Sequence, residues 1–452
     1  MLAAFGIAVL GAGAQTQPQA LTLRPGGTPV SGGLLVLAGS LHDHSTDSDG
    51  DASSEAVASW EFAHRYELGI DFGALTDHAD LMPFALRAPF SGNVWKKQER
   101  LDERYSRDGF SFLRGFEFTS DQENHVNVIG SPGYLGGIHD GDLTLGALYH
   151  WIATRDSGVV QFNHPSSKGA LQWNDLAFVP AVAAKVATIE IYGEQGFTSR
   201  SLMQSDAGWY WLALTRGWTV GPVMNWDTHH WRKILRQAGS AARCGDLAVS
   251  LPCQRTLVLA DAATPGAIVR ALAARRTTAT EHPSLWATLR GPGGIWQGST
   301  LENAGAGRRI SLTLEAGSSK WPLERVDIVS DNELDPHSYF DGDNAAQARR
   351  KGRFAAGFRE EHRRFVRSGG HALRKGQVDG PPEEATVASV PLSGDRASRI
   401  IVVTVPGEQS LRPDRKHFFY AIVWAGLVRA WTSPVFTEDA ARPANGMNAA
   451  LP

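Results

Sequence analysis

Two histidines, His42 and His44, stand one residue apart shortly after an apolar run at residues 34–37. Such a run predicts a buried strand, and side chains two residues apart on a strand point to the same side. Both imidazoles can therefore face one point, and neutral imidazole is a common ligand for zinc, manganese and iron. For this pair alone, two surface histidines in a turn are the alternative interpretation.

The same pattern recurs along the chain, because other predicted strands also end in His, Asp or Glu. Seven of nine candidate ligands lie within two residues of a strand's carboxyl end, while His125 opens a strand and Asp49 lies in a loop. The nine are His42, His44, Asp49, His78, Glu117, His125, His164, Asp227 and His229. One tetrahedral zinc takes three or four protein ligands, so nine predict two or three divalent ions. A polar barrel mouth without metal is the alternative.

Three further roles follow from this set. Glu117 is the predicted bridge between metals, because a carboxylate has two oxygens. Asp77 and Asn163 are predicted to orient neighbouring imidazoles without touching a metal. His230 follows His229 directly and is predicted to point away from it.

The elements that must position these residues alternate between strands and helices. Buried strands are predicted at residues 34–37, 70–76, 110–116, 126–130, 158–162, 186–189, 219–226 and 255–260. One predicted helix begins at the Ser53 and Ser54 cap and stops at Gly69, and another spans 265–274. The alternation predicts a parallel α/β barrel at residues 34–282, with its function at the carboxyl ends of the strands.

The pattern of predicted secondary structure changes beyond Pro283, where strands follow one another without regular helices. We predict a linker near 281–285, an antiparallel β-sandwich accessory domain at residues 285–440, and a tail at 441–452. A charged insert at 335–384 interrupts the sandwich. Its cluster of arginines is interpreted either as a solvated helix or as a cap that steers anions.

Composition excludes several classes of protein. The formal net charge of −3 over 452 residues gives no nucleic-acid footprint, and no apolar run reaches the roughly 18 residues of a membrane span. Residues 1–14 are apolar and end in Ala12-Gly13-Ala14, which predicts a signal peptide before an extended lead-in at 15–33. We therefore expect an exported protein, periplasmic or secreted; a frayed structural terminus is the alternative.

The motifs around the candidate ligands resemble those of the polymerase-and-histidinol-phosphatase (PHP) family over about residues 37–282. The matching motifs are His42-Asp43-His44, Ser48-Asp49-Gly50, Thr76-Asp77-His78, Gly115-Phe116-Glu117-Phe118-Thr119, Asn124-His125, Asn163-His164-Pro165 and Asp227-Thr228-His229. The resemblance implies a distorted (β/α)7 TIM-like barrel that holds two or three ions of zinc, manganese or iron. Asp49 stands where other members have histidine, and Ala79 separates Asp80 from the Thr-Asp-His motif.

The resemblance also implies how the ligands are shared. His42, His44, Glu117 and Asp227 would hold one metal, Glu117, His125 and His164 a second, and Asp49, His78 and His229 a third. The segment Arg275-Arg276-Thr277-Thr278-Ala279-Thr280, followed by a β-domain, is similar to the exported branch of the family that includes carbaryl hydrolase.

Together these residues predict a metal-dependent hydrolase of a small-molecule ester, with Glu117, Asp227 and His229 as its catalytic residues. Bound metals lower the pKa of water to about 7, which supplies hydroxide to attack the ester. No Gly-x-Ser-x-Gly elbow or Gly-rich phosphate loop is present, which argues against serine hydrolases and nucleotide-driven enzymes. Nothing in the sequence specifies an oligomeric state.

A carboxyl or carbamate ester is favoured over a phosphoester, because few arginines and many aromatic residues flank the motifs. The aromatic residues are Phe84, Phe90, Trp95, Phe118, Trp173, Tyr192, Phe197, Trp226 and Trp231. A PHP phosphoesterase is the alternative, and a non-catalytic metal-stabilised binding protein is a lesser one.

Cys244 and Cys253 are the two cysteines of the chain. In an exported protein we expect them to form a disulfide that closes a short loop and stabilises the fold by about 2–4 kcal/mol, towards the lower end for so short a loop. Thiol titration of unfolded, unreduced protein from an oxidising compartment should then find no free thiol. Two titratable thiols would support the alternative of an unpaired Cys244 and Cys253.

Overall fold

The computed structural model describes residues 23, 26–30, 32–82, 91–120, 123–135, 144–155, 158–165, 173–191, 207–236, 252–302, 309–331, 385–392, 399–406, 416–426 and 428–438. The predicted signal peptide, the charged insert 335–384, the tail 441–452 and Cys244 lie outside these ranges. Cys253 is buried, and the described residues contain no disulfide, so the pairing stays a prediction. No described helix is long and apolar enough to cross a membrane.

The first part of the chain alternates strands and helices. Its strands are β1 (Thr28–Pro29), β2 (Leu35–Gly39), β3 (Phe72–Leu75), β4 (Ser111–Phe118), β5 (Val126–Ile129), β6 (Val159–Phe162), β7 (Val186–Glu190), β8 (Gly221–Val223), β9 (Arg255–Ala260) and β10 (Thr277–Thr280). Its helices are α1 (Ser54–Leu68), α2 (Ser91–Tyr105), α3 (Leu145–Thr154), α4 (Trp173–Leu176), α5 (Ala207–Thr215), α6 (Trp231–Arg236) and α7 (Pro265–Ala273). The eight strands predicted from the sequence are confirmed as β2 to β9.

Local sequence sets the limits of helix α1 as predicted. The Ser53 hydroxyl accepts a hydrogen bond from the Ala56 backbone N–H at 3.2 Å, which caps the first turn. Gly69 ends the helix with a φ of 61°, a left-handed conformation that glycine adopts without strain.

Strands β2 to β8 lie side by side in chain order within one large sheet. β2, β3 and β4 pair in parallel, as do β6, β7 and β8. β5 is antiparallel to both its neighbours and β9 is antiparallel to β2, so the prediction of parallel strands throughout is wrong. At β5 the reason is the length of the connection 119–125, which is shorter than the dozen residues that a parallel crossover needs.

The segments that follow β2 and β8 meet each other. The Asp227 backbone N–H donates to the His42 carbonyl at 2.7 Å, and the His44 N–H donates to the Thr228 carbonyl at 3.2 Å. The first and last strands of the β2–β8 series are therefore in contact beyond their carboxyl ends. The molecule has a mixed α/β fold with this large sheet and a second, three-stranded sheet.

The described chain beyond residue 284 is built mainly of strands, as predicted. They are β11 (Leu285–Arg290), β12 (Thr300–Glu302), β13 (Arg309–Ser318), β14 (Leu323–Ser330), β15 (Thr386–Pro391), β16 (Arg399–Pro406), β17 (His417–Ala425), β18 (Val428–Thr432) and β19 (Val435–Glu438). β11, β13 and β16 form the second sheet, and the others extend the large sheet through the β10–β18 pair. The pairing of β12 with β19 is parallel, so the antiparallel prediction is wrong there. The predicted domain boundaries stay a prediction.

Side chains also fasten the two parts of the chain together. Buried Glu281 accepts from the Arg429 guanidinium and from its backbone N–H, each at 2.7 Å. The Tyr210 hydroxyl donates to the Thr432 carbonyl at 3.1 Å. Arg275 donates to backbone carbonyls of Thr219 and Ala273, so this member of the arginine motif stabilises strand connections.

Gly39, where β2 meets β3, is the position at which we expect a single methyl group to disturb the fold. A Cβ there would overlap the Phe72 carbonyl oxygen and ring, and a backbone oxygen cannot rotate away. Gly39→Ala should lower the free energy of unfolding by about 1–3 kcal/mol, as overpacking does. Urea unfolding of metal-free protein measures this change. Gly133→Ala is the matched control, because its Cβ would meet nothing within 4 Å; equal midpoints for both variants would contradict the expectation.

Candidate metal centre

All nine predicted ligands come together at one end of the β2–β8 strands. They form four overlapping groups whose ligand atoms lie within 4.8 Å of one another. The groups are His44, Asp49, His78 and His229; His42, His164 and Asp227; His42, His44 and Glu117; and His78, Glu117 and His125. Clusters of this composition are compatible with more than one divalent metal ion.

The reversed direction of β5 explains why His125 opens a strand. Phe118, at the carboxyl end of β4, is paired with Val126 at the amino end of β5. The amino end of an antiparallel strand lies at the same edge as the carboxyl ends of its parallel neighbours. His125 therefore enters the site from the only reversed strand of the β2–β8 series.

Glu117 lies at the centre of the site and is fully buried. Its Oε1 atom is 3.0 Å from His125 Nδ1 and 3.1 Å from His164 Nε2. Its Oε2 atom is 3.1 Å from His78 Nδ1 and 3.3 Å from His44 Nε2, and it makes no hydrogen bond. His42 Nε2 is also 3.3 Å from Oε1. One carboxylate oxygen therefore faces three imidazoles and the other faces two, which is the arrangement expected of a bridging ligand.

The spacing around His42 and His44 tests whether a metal fits. Their Nε2 atoms are 3.1 Å apart, and Asp227 Oδ1 lies 3.4 Å from the first and 3.1 Å from the second. Ligand atoms about 2.0 Å from a tetrahedral metal are spaced by roughly 3.3 Å. Two imidazole nitrogens that face each other this closely need a cation or a proton between them, so these residues fit a metal ion.

A third cluster surrounds Asp49, whose side chain is 42% exposed. Its carboxylate lies 3.3 Å from His229 Nε2, 3.6 Å from His78 Nε2 and 3.7 Å from His44 Nδ1. His44 thus presents one ring nitrogen to Glu117 and the other to Asp49. His78 also faces both carboxylates. The ligand sets implied by the resemblance placed His78 with Asp49 but not with Glu117. The assignment of residues to individual metals stays a prediction.

Burial and charge act in opposite directions on these groups. Burial disfavours ionised Glu117, but the imidazoles of His78 and His42 outweigh it and hold the Glu117 pKa well below its usual range. Burial likewise opposes protonation of His44, but Asp227 and Glu117 raise the His44 pKa to about 10. Protons and metal ions therefore compete for the same imidazole nitrogens.

The backbone is strained at several residues of the site. Asn124, His164 and Asp227 have φ values of 71°, 29° and 49°, although none of them is glycine. Such conformations are unfavourable for ordinary residues and persist where the surrounding structure fixes them, commonly at functional sites.

Two predicted supporting residues act differently from the prediction. Asp77 accepts from the Ser45 N–H at 2.7 Å and from the Ser48 hydroxyl at 2.7 Å, so it holds the loop that carries His44 and Asp49. The Asn163 amide donates to Glu117 Oε1 at 2.8 Å, so it orients a carboxylate and not an imidazole. His230 is exposed, in agreement with its predicted outward direction.

Sequence reasoning missed Glu190, the last residue of β7. Its Oε1 lies 3.0 Å from His42 Nδ1, and its Oε2 accepts from the His164 backbone N–H at 2.6 Å. The signal was present, because Glu190 is one more acidic residue at the carboxyl end of a predicted strand.

The aromatic residues near the motifs that the structure describes lie in the hydrophobic core and not in a pocket wall. Five of them are buried and pack in the hydrophobic core: Trp95, Phe118, Trp173, Trp226 and Trp231. The other four, Phe84, Phe90, Tyr192 and Phe197, lie outside the described residues. The described side chains therefore provide no aromatic wall that would favour an apolar ester.

No protein-family profile matches this sequence, and no curated protein matches it. The structure is similar to a solved two-domain protein from Bacteroides vulgatus ATCC 8482 that contains a predicted PHP-like metal-dependent phosphoesterase. That likeness has 16% identity and a TM-score of 0.37, and it covers 70% of this chain and 83% of that one. The structure is also similar to PsfC from Pseudomonas syringae PB-5123, at 15% identity and a TM-score of 0.32, over 49% of this chain and 82% of that one. Both likenesses are too distant to assign an activity.

Glu117→Ala should lose much more bound metal than His230→Ala. The first change removes the carboxylate that faces five imidazoles, whereas His230 is exposed and belongs to none of the four groups. Elemental analysis of each purified variant after loading with manganese or zinc measures the bound metal per chain. Equal metal content in the two variants would contradict the central position of Glu117.

Proposed function

We propose that the protein is a metal-dependent hydrolase of the PHP type that cleaves an ester bond of a small molecule. The observation that carries this proposal is the convergence of nine His, Asp and Glu side chains in four overlapping groups. A single structural metal needs only three or four protein ligands, so a merely metal-stabilised binding protein leaves most of this set without a purpose.

Strand order supports the finer proposal of a distorted seven-stranded barrel. The seven strands β2 to β8 follow one another in the sheet, and the backbone bonds from Asp227 and His44 join the first to the last. Barrel enzymes place their reactive residues at the carboxyl ends of the strands, which is where the ligands lie here.

Different residues of the chain have different roles in the proposed reaction. When bound, the metals would lower the pKa of a water molecule to about 7 and so make hydroxide available at neutral pH. Glu117 sets the spacing between ligand groups, because its two oxygens face different imidazoles. The Asp49 side chain is 42% exposed and the His229 side chain is partly exposed, whereas His42 is fully buried. We therefore place the substrate on the Asp49 and His229 side, with Asp227 between that side and the buried imidazoles.

Within this proposal, the substrate is a carboxyl or carbamate ester in preference to a phosphoester. In the described structure, the Glu117 and Asp49 carboxylates form ion pairs with imidazoles and with no arginine or lysine. Arg114 is paired with Glu99 at 3.0 Å and is therefore engaged elsewhere. Sites for phosphate monoesters usually direct arginine or lysine to the non-bridging oxygens. The phosphoesterase alternative is favoured by the shared Glu117, because paired metals suit in-line displacement at phosphorus.

Export to the periplasm or the medium remains part of the proposal. It is supported by the apolar segment 1–14 with its Ala12-Gly13-Ala14 end and by the two cysteines. N-terminal sequencing of the mature protein from a cell fraction tests it directly.

The metal-loaded protein should hydrolyse an aryl ester or carbamate with a higher kcat/KM than the matching aryl phosphate, and chelator should abolish both activities. Asp227→Asn should lower kcat/KM by at least about 100-fold, since metal stabilisation contributes several kcal/mol. Asp261→Asn is the matched control, because Asp261 forms an exposed ion pair with Arg270.

Steady-state kinetics on the two substrates, with and without chelator, separates the outcomes. A higher kcat/KM for the phosphate would assign the protein to the phosphoesterases. Activity that survives complete metal removal would overturn the proposed function.

A further inference from the structure

Glu190 is a buried carboxylate, 3% exposed, that lies beneath the candidate metal centre and belongs to none of its four ligand groups. Four groups touch it in the described structure. Its Oε1 is 3.0 Å from His42 Nδ1, and it accepts from Gln161 Nε2 at 3.2 Å and from Asn225 Nδ2 at 2.7 Å. Its Oε2 accepts from the His164 backbone N–H at 2.6 Å.

Every partner of Glu190 is a hydrogen-bond donor. The two amide nitrogens and the backbone N–H can only donate, and His42 Nδ1 completes the set when it carries its proton. A proton on Nδ1 leaves Nε2 as the nitrogen whose lone pair is available to a metal. His42 Nε2 is the atom that faces His44 Nε2, Glu117 and Asp227.

The amides around Glu190 extend its reach to Glu117. Gln161 Nε2 also donates to Asn163 Oδ1 at 2.9 Å, and Asn163 Nδ2 donates to Glu117 Oε1 at 2.8 Å. Asn225 is fixed from its other side, because its Oδ1 accepts from the Leu41 N–H at 2.8 Å. This network therefore sets the orientation of each amide and connects a residue of β7 to ligands carried by β2 and β4.

We propose that Glu190 is a positioning residue that orients His42 and, through Gln161 and Asn163, Glu117 toward the metals. The inference rests on the metal site of the proposed function and adds a residue outside its ligand set. A carboxylate behind a ligating imidazole fixes the ring and its tautomer, and removing such a partner commonly weakens metal binding 10–100-fold.

Glu190→Gln is a sharp test because it preserves shape and changes only donors and acceptors. With its NH2 group in place of Oε1, the glutamine meets two amide donors and turns His42 Nδ1 into an acceptor, which moves the imidazole proton toward the metal side. With its NH2 group in place of Oε2, it meets the His164 N–H. Both orientations place a donor against a donor.

The matched control is Glu281→Gln. Glu281 is also a buried carboxylate that accepts only from nitrogen donors, but its partner is Arg429 in β18. Both variants remove one buried charge, and Glu281 belongs to none of the four ligand groups. A purely structural role for Glu190 predicts similar effects of the two changes.

The experiment measures zinc affinity by chelator competition for the wild type and both variants, together with thermal unfolding of the metal-free proteins. We expect Glu190→Gln to weaken zinc binding about 10–100-fold and Glu281→Gln to change it less than about twofold. A loss of affinity below twofold in Glu190→Gln, or an equal loss in both variants, would overturn the inference.

A second readout uses the wild-type protein and does not require the Glu190→Gln variant to fold. In wild-type protein with ring-labelled histidine, NMR should show a proton on His42 Nδ1, assigned by comparison with a His42→Asn variant. A His42 that carries its proton only on Nε2 would overturn the inference. Failure of the proposed function is a separate result: a wild type that binds zinc but hydrolyses neither ester nor phosphate leaves the affinity comparison intact.

Discussion

The physical constraint on which the rest of the structure depends is the burial of Glu117 among imidazoles. A carboxylate removed from water is costly unless charge or hydrogen bonds compensate it, and its Oε2 atom has no hydrogen bond. The imidazoles around it are themselves buried, and that of His44 also faces the Asp227 and Asp49 carboxylates. Such a set is stable only when cations or protons lie among its members. The positions of these groups must therefore be held by rigid elements, and the strand ends provide them.

The fold meets this constraint with one reversed strand. Six strands of the β2–β8 series bring their carboxyl ends to the site, and β5 brings its amino end to the same edge. The short connection between β4 and β5 thus places Glu117 and His125 on adjacent strands, with side-chain atoms 3.0 Å apart. Backbone hydrogen bonds between the segments after β2 and β8 likewise bring together His44 and Asp227, which lie far apart in sequence. Strained backbone at Asp227 and His164 shows that the surrounding contacts outweigh local preference.

Much of this arrangement could be predicted from the sequence, because both signals are local. Apolar runs marked the strands β2 to β9, and the polar residues that end them identified the nine ligand candidates. Pairing direction is not a local property, so the reversal of β5 was missed even though the loop 119–125 was too short for a crossover. Glu190 has the same local signal at the end of β7, but its place behind His42 depends on which side chains it faces, and that is not a local property of the sequence. The buried aromatic residues were predicted to line the site for a related reason. A tryptophan near a motif, such as Trp173, looks the same in the sequence whether it packs in the core or lines a pocket.

The last feature of the fold that bears on the site is its continuity with the C-terminal strands. Gly221 in β8 lies so close to Ser433 and Thr277 that a Cβ there would overlap both hydroxyls. Thr277 and Ser433 are themselves hydrogen bonded at 2.9 Å, next to the β10–β18 pair. β8 leads directly to Asp227 and His229, so the strand that delivers two ligands packs on the C-terminal part of the chain. Glu281 and Arg429 form a buried ion pair at the other end of the β10–β18 pairing. The C-terminal strands therefore act as a support for β8, and the position of Asp227 depends on both parts of the chain.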